Sequence, residues 1–319
     1  AMTLSSSDLP EAVINPFDQL VFDCQNSPNK IQARYETHRT NRNAQSREKL
    51  LHEKFPGWNI DEILSKLVEQ SKAPTEDVFA DHRHNLNLYA RPPKHIKELV
   101  AELQHEIRDV APTIWFSPLE SLHITTLEIA SSRTQEEINA LAAQLLQDGT
   151  ALKLVNYPSE HHRARLVKPI LSYDASAMAL SFLPAADEPT ATSGTTDKKQ
   201  YDDSYTYHNL RRDLAAQVLR SGIGLAARYV VPSAHVTIAR FISQDGFLRD
   251  GEAIDKDRVV ALVERIEKIN VMLRERYWPG GSEVQDMPVK GEWVIGQEQG
   301  LELNKGTSWY GGGEKVLIG

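Results

Sequence analysis

Two short segments carry the residue types that phosphoryl chemistry needs. SLHITTLEI (121–129) and SAHVTIARF (233–241) each place a serine, an apolar or small residue, a histidine, a β-branched residue and a threonine in that order. In an extended chain, side chains at i and i+2 share a face, so His123 points with Thr125 and His235 with Thr237. Splitting a phosphodiester calls for a base at the nucleophile and an acid at the departing oxygen, roughly in line across phosphorus. Imidazole, with an ordinary pKa of about 6.5, can serve as either near neutral pH. A threonine hydroxyl beside each imidazole can donate to a non-bridging oxygen and stabilise its developing charge. Two imidazoles cover both proton transfers, so neither a metal nor any other cofactor is expected.

A single H-x-T is weak evidence. With 11 histidines, about one H-x-[ST] match is expected by chance. His38-Arg39-Thr40 is such a match, and it is set aside because it sits in a polar, helix-compatible run rather than a strand. The other two sit in apolar, β-rich runs.

Secondary candidates surround them. Arg240 follows the second motif as a candidate phosphate ligand, although strict alternation puts it on the face opposite His235 unless a bulge intervenes. Tyr89 and Asn87 would line a neighbouring strand, and Tyr89, Trp309 and Tyr310 are candidates for stacking on a base. Ordinary packing is the alternative for each aromatic. Gly311-Gly312-Gly313 is not a phosphate-binding loop, since no Gly-Lys-[Ser/Thr] follows. His161-His162 and His82-x-His84 lack the accompanying ligands of a metal site.

The elements that must position the motifs repeat. In the first half, a strand over 86–90 leads to a helix over 95–110, then strands over 113–116 and 122–129, a helix over 134–147 and a strand over 151–157. In the second, a strand over 178–183 leads to a helix over 205–219, strands over 228–231 and 234–241, a helix over 257–277 and a strand over 292–295. Pro92 precedes His123 by 31 positions. Pro184 precedes His235 by 51, and the excess matches a polar, Thr-rich segment at 185–204 read as a loop. The shared order points to internal duplication. Residues 1–83 read as a helical extension, with a helix over 31–54 stopped by Phe55-Pro56-Gly57 and a second one capped by Asp61.

Composition narrows the partners. A chain of 319 residues with a formal charge of -8 has no basic stripe of the kind long nucleic acid selects. Arg163, Arg165 and Lys168, like Arg211 and Arg212, read as solvated surface or as local phosphate contacts. The expected ligand is a small nucleotide or a short RNA end. Cys24 is the only cysteine, so no internal disulfide can form. No apolar run approaches the roughly 20 residues of a membrane helix. The opening AMTLSSSDLP lacks a signal-peptide pattern, and the expected setting is intracellular, cytoplasmic or nuclear.

The paired motifs resemble those of the 2H phosphoesterase superfamily, which includes 2′-5′ RNA ligase-like proteins and cyclic nucleotide phosphodiesterases. The resemblance covers residues 84–319. It implies an α+β, bilobal fold, with two antiparallel sheets and flanking helices around a central cleft. It further implies hydrolysis of 2′,3′-cyclic phosphates with His123 as acid and His235 as base, an assignment the residues alone leave open. A 3′ exoribonuclease or 2′-5′ ligase-like activity would use the same residues, and a non-catalytic nucleotide-binding protein is the reading from another class.

Overall fold

The computed structural model describes residues 14–189, 202–225, 230–280 and 290–319. Helices α1 (Asp18–Asp23), α2 (Pro28–Leu51) and α3 (Glu62–Lys72) lead into strand β1 (His84–Ala90). There follow α4 (Lys94–Val110), β2 (Trp115–Phe116), β3 (Ile124–Arg133), α5 (Gln135–Gln147) and α6 (Thr150–Glu160). The second half holds β4 (Arg165–Tyr173), β5 (Ala177–Pro184), α7 (Tyr207–Arg220) and β6 (Ala234–Arg240). A two-stranded ribbon, β7 (Leu248–Arg249) and β8 (Ala253–Ile254), precedes α8 (Lys256–Arg276), β9 (Trp293–Val294), β10 (Glu302–Gly306) and β11 (Glu314–Ile318). The fold is α+β.

Local chemistry sets the helix starts. Ser27 accepts from the Lys30 amide with Pro28 at the first helical position, and Asp61 accepts from Leu64. Thr134 accepts from Glu137, and Thr206 and Asn209 satisfy each other's backbone amides in a capping box.

One continuous, antiparallel sheet stands where two were expected. Its order is β11-β10-β1-β3-β6-β5-β4-β9, with β2 paired to β6. The halves meet at β3 and β6, so each contributes four strands in line. The outer strands of the first half come from residues 302–318, not from 151–157. That segment is helix α6, because Ala151, Leu154, Val155 and Pro158 recur at helical spacing and are buried together. Gly149, at φ +79°, turns the chain into it. Of the strand expected over 228–231, residues 228–229 lie outside the described residues and 230–231 are not in a strand; most of the loop expected over 185–204 also lies outside the described residues.

Strand β4 has no counterpart among the sequence expectations. Lys168 adopts a φ of +57°, and the ladder to β5 slips between Val167 and Ile170. Pro169 therefore sits at a bulge, where its missing N–H is tolerated. Arg165, read as a surface or phosphate-binding cation, is buried. It pairs with Asp203 at 2.5 Å and with Glu292 at 3.0 Å.

Residues from the N-terminal helices join the same core as the sheet. Ile31, Tyr35 and Leu50 of α2 are buried, as are Phe17, Phe55 and Trp58, the last stacked on Phe241 at 3.8 Å. Among the described residues no helix is long and apolar enough to cross a membrane.

Candidate active site

The middle of the sheet brings the two motifs together. Ile124 of β3 pairs with Val236 of β6, antiparallel. One step along on either side, His123 comes to face Thr237 and Thr125 comes to face His235. Residues opposite one another on antiparallel strands share a face. The four side chains therefore form a square about a local twofold through the Ile124–Val236 pair. Its apolar members, Ile124 and Val236, are fully buried on the other face. The two imidazoles lie on a diagonal of that square, which spans about 7–8 Å. That is room for a phosphoryl group between them.

The serine before each histidine fixes the ring. His123 Nδ1 lies 2.8 Å from the Ser121 carbonyl oxygen, so it is protonated and donates there, and Nε2 is left for the cleft. His235 Nδ1 lies 2.9 Å from Ser233 Oγ, a partner that can donate or accept. Tyr89 faces Thr125 across β1 and β3 and stacks on the His123 ring at 3.8 Å. A residue marked for a nucleobase is thus engaged with the imidazole, which it holds in place.

Matching bulges bring two more charges to this face. On β6, Thr237 pairs with Ala179 and Ala239 with Met178, which leaves Ile238 as the extra residue. Side-chain parity shifts there, and Arg240, opposite Ala177, rejoins the histidine face. On β3, Thr125 pairs with Tyr89 and Leu127 with Leu88, which leaves Thr126 extra, and Glu128 opposite Asn87 rejoins the same face. Both residues stand five positions after their motif histidine. That common offset is a signal present in the sequence, and it finds Glu128, which strand alternation alone misses.

A cavity of about 160 Å³ results, lined by Asn87, Tyr89, Glu128, Arg240, Ser308 and Trp309 around His123, Thr125, His235 and Thr237. Trp309 stands on its wall, with the Arg83 guanidinium over its ring at 4.6 Å. Tyr310 lies behind Arg240, whose guanidinium is 5.5 Å from its ring centre. The Tyr310 hydroxyl donates to Asp61 at 2.7 Å and accepts from Arg83, so Tyr310 supports the cations rather than lining the cavity. Against the outer edge, Arg91 binds Glu302 at 2.6 Å and the carbonyls of Ser121 and Leu122. That tie between β10 and the first motif was not apparent in the sequence, because Glu302 lies 211 positions from Arg91.

A second cavity, of about 240 Å³, lies on the far side of His235 and Thr237 and shares both residues with the first. Helix α2 contributes His38, Arg39, Arg42 and Asn43 to it. His38-Arg39-Thr40 is helical, as its polar surroundings predicted.

A comparison with protein-family models and with curated proteins finds no match. The chemistry of the site therefore stands on its geometry.

Electrostatics separate the two histidines. Burial is the main cause that pushes each down to about 4. Beyond burial their neighbours differ. The Ser121 carbonyl and Glu302 favour a proton on His123, against Arg91 and His235. His235 is surrounded by like charge: Arg211, Arg42, Arg240 and His38 all disfavour its protonation. Among the described residues, no group of three or more His, Cys, Asp or Glu side chains is gathered as a metal site would require.

Proposed function

We propose that this protein is a phosphodiesterase of the 2H type, which opens 2′,3′-cyclic phosphates with a histidine pair and without a metal. The observation that carries the reading is the antiparallel register at Ile124–Val236, which sets the two H-x-T motifs about a twofold on one face. In this reading the two halves of the sheet act as the lobes of a bilobal fold, and the cleft runs between them.

His235, in a field of cations, is the group that stays neutral and takes the proton from water. His123, with a carbonyl on Nδ1 and the Glu302 carboxylate nearby, is the one better able to carry a proton on Nε2 and deliver it to the leaving oxygen. Thr125 and Thr237 donate to the non-bridging oxygens, and Arg240 balances the charge that grows on them. Trp309 offers a face to the base, and Asn87 and Glu128 offer acceptors to its edge.

The test is incubation with the four 2′,3′-cyclic nucleoside monophosphates, with and without EDTA, and separation of the 2′- from the 3′-phosphate products. Formation of one isomer that resists EDTA and is lost in both His123→Ala and His235→Ala is the expected result. Turnover that EDTA abolishes, or that survives either substitution, refutes the mechanism. A folded wild type inert toward cyclic phosphates, short RNA ends and 2′-5′ linkages alike would leave nucleotide binding without catalysis.

A further inference from the structure

The cavity beyond His235 plays no part in the proton transfers, yet it opens onto the same two residues, His235 and Thr237. It exists because the two halves of the sheet differ beside their motifs. In the first half, Tyr89 faces Thr125, with Asn87 next along its strand, and these side chains fill the space. In the second half, Ala179 faces Thr237, Ala177 faces Arg240 and Ser181 faces His235, and these leave it open. Helix α2 roofs the space so created.

Two of the four α2 residues there are already committed. Arg39 donates to the carbonyls of Lys168 and Ser181 and to Glu36. Asn43 bonds the Leu171 carbonyl and the Tyr173 amide. His38 is half-buried and has no hydrogen-bond partner among the described residues. Arg42 is 57 % exposed and meets Asp174 at 3.4 Å. An exposed pair of that length is worth about 0–1 kcal/mol, so a phosphate can outcompete it. The Asp174 carboxylate is in turn occupied by the amides of Ser176 and Ala177. The Arg42 charge reaches His235, while burial and Arg42 itself lower the His38 pKa, so His38 lines the cavity as a hydrogen-bond donor rather than as a fixed charge. The positive field at the motif thus extends away from Arg240 and into this second cavity.

We infer that His38 and Arg42 of α2 form a second anion subsite, and that the substrate carries a further phosphate beyond the scissile one. A cyclic phosphate that bears a 5′-phosphate, or one that ends a short chain, fits this description; an unsubstituted cyclic nucleoside monophosphate leaves the cavity empty. The inference rests on the phosphodiesterase reading and gives the helical extension a place in the site.

The experiment is calorimetric binding of adenosine 3′-monophosphate and adenosine 3′,5′-bisphosphate to the full chain, its Arg42→Ala variant and a charge-matched control, Lys153→Ala, exposed on α6. The wild type is expected to prefer the bisphosphate by about tenfold, the value of one charge-assisted contact. Arg42→Ala should bring that ratio close to one, and Lys153→Ala should keep it. Equal affinity for the two ligands in the wild type overturns the subsite, as does an unchanged ratio in Arg42→Ala or a ratio lost equally in Lys153→Ala. If the monophosphate binds and the bisphosphate gains nothing, the subsite alone falls. If neither ligand binds, the subsite falls, and turnover of the 2′,3′-cyclic nucleotides decides the phosphodiesterase reading separately.

Discussion

The two histidines should show a pH profile that depends on whether the site is occupied. Each imidazole lies at about 4 in the free protein, against an ordinary 6.5. That drop corresponds to about 3 kcal/mol against the imidazolium form. The sign follows directly: a depressed pKa means that the proton is lost as the pH rises through about 4, and at pH 7 only about one site in a thousand still holds it. Catalysis by an acid and a base needs one proton on the pair. A phosphodiester anion about 4 Å from the imidazolium, at an effective dielectric constant near 20, returns about 4 kcal/mol. Substrate binding therefore offsets the burial and restores an ordinary histidine pKa in the complex. The profile of kcat/KM, which reports the free protein, should peak near pH 4–5 and fall above it. The profile of kcat, which reports the complex, should stay level to about pH 6–7. Steady-state kinetics across pH, together with NMR titration of the imidazole nitrogens with and without adenosine 3′-monophosphate, measure both. If His123 and His235 titrate near 6.5 in the free protein, or if the two profiles share one alkaline limb, the reasoning fails.

Thr125→Val and Thr237→Val keep the shape of the side chain and remove its hydroxyl. Each should lower kcat by about a hundredfold with an unchanged melting temperature, and a change confined to KM would show that the threonine contributes only to ground-state binding. Arg165→Ala leaves the Asp203 and Glu292 carboxylates buried without their cation. It should destabilise the fold by about 3–5 kcal/mol in a urea titration, and a loss under about 1 kcal/mol would mean that remaining contacts, such as the Asp187 amide on Asp203, are enough for these acids.

The motif and its strands were legible because their signal is local. Each H-x-T lies in an alternating run whose polar members share a face, and a single ladder pair, Ile124–Val236, sufficed to bring the runs together. The α+β class and most helices followed from caps and apolar spacing, as at Asp61 and Thr134. What stayed hidden depended on contacts distant in sequence. Arg240 could be placed on the histidine face only by the bulge at Ile238, which shows in the partner strand's register and not in β6 itself. Lys168-Pro169 interrupts β4 and disguises it as a loop, and burial of Arg165 depends on acids 38 and 127 positions away. Ala151–Tyr157 could be read with either period over so short a run, and neighbouring apolar faces decided for a helix. The entry of α2 into the second cavity left no trace in the chain, because a basic helix lining a cavity looks like any solvated one.

The strand order also dictates when the site can assemble. The half of the sheet that carries His123 begins at residue 84, yet its outer strands, β10 and β11, come from residues 302–318. On a ribosome, β1 would therefore wait with an open edge through the synthesis of the whole second half. Arg91, which donates to the Ser121 and Leu122 carbonyls of the first motif, would lack its Glu302 partner. Pairings this distant in sequence are slow to form, and an unpaired edge invites wrong partners in the meantime. The second half, built from residues 165–294 with α2 already made, has its strands sooner. Folding should then run from the His235 side to the His123 side, and the candidate active site should be among the last features of the chain to form.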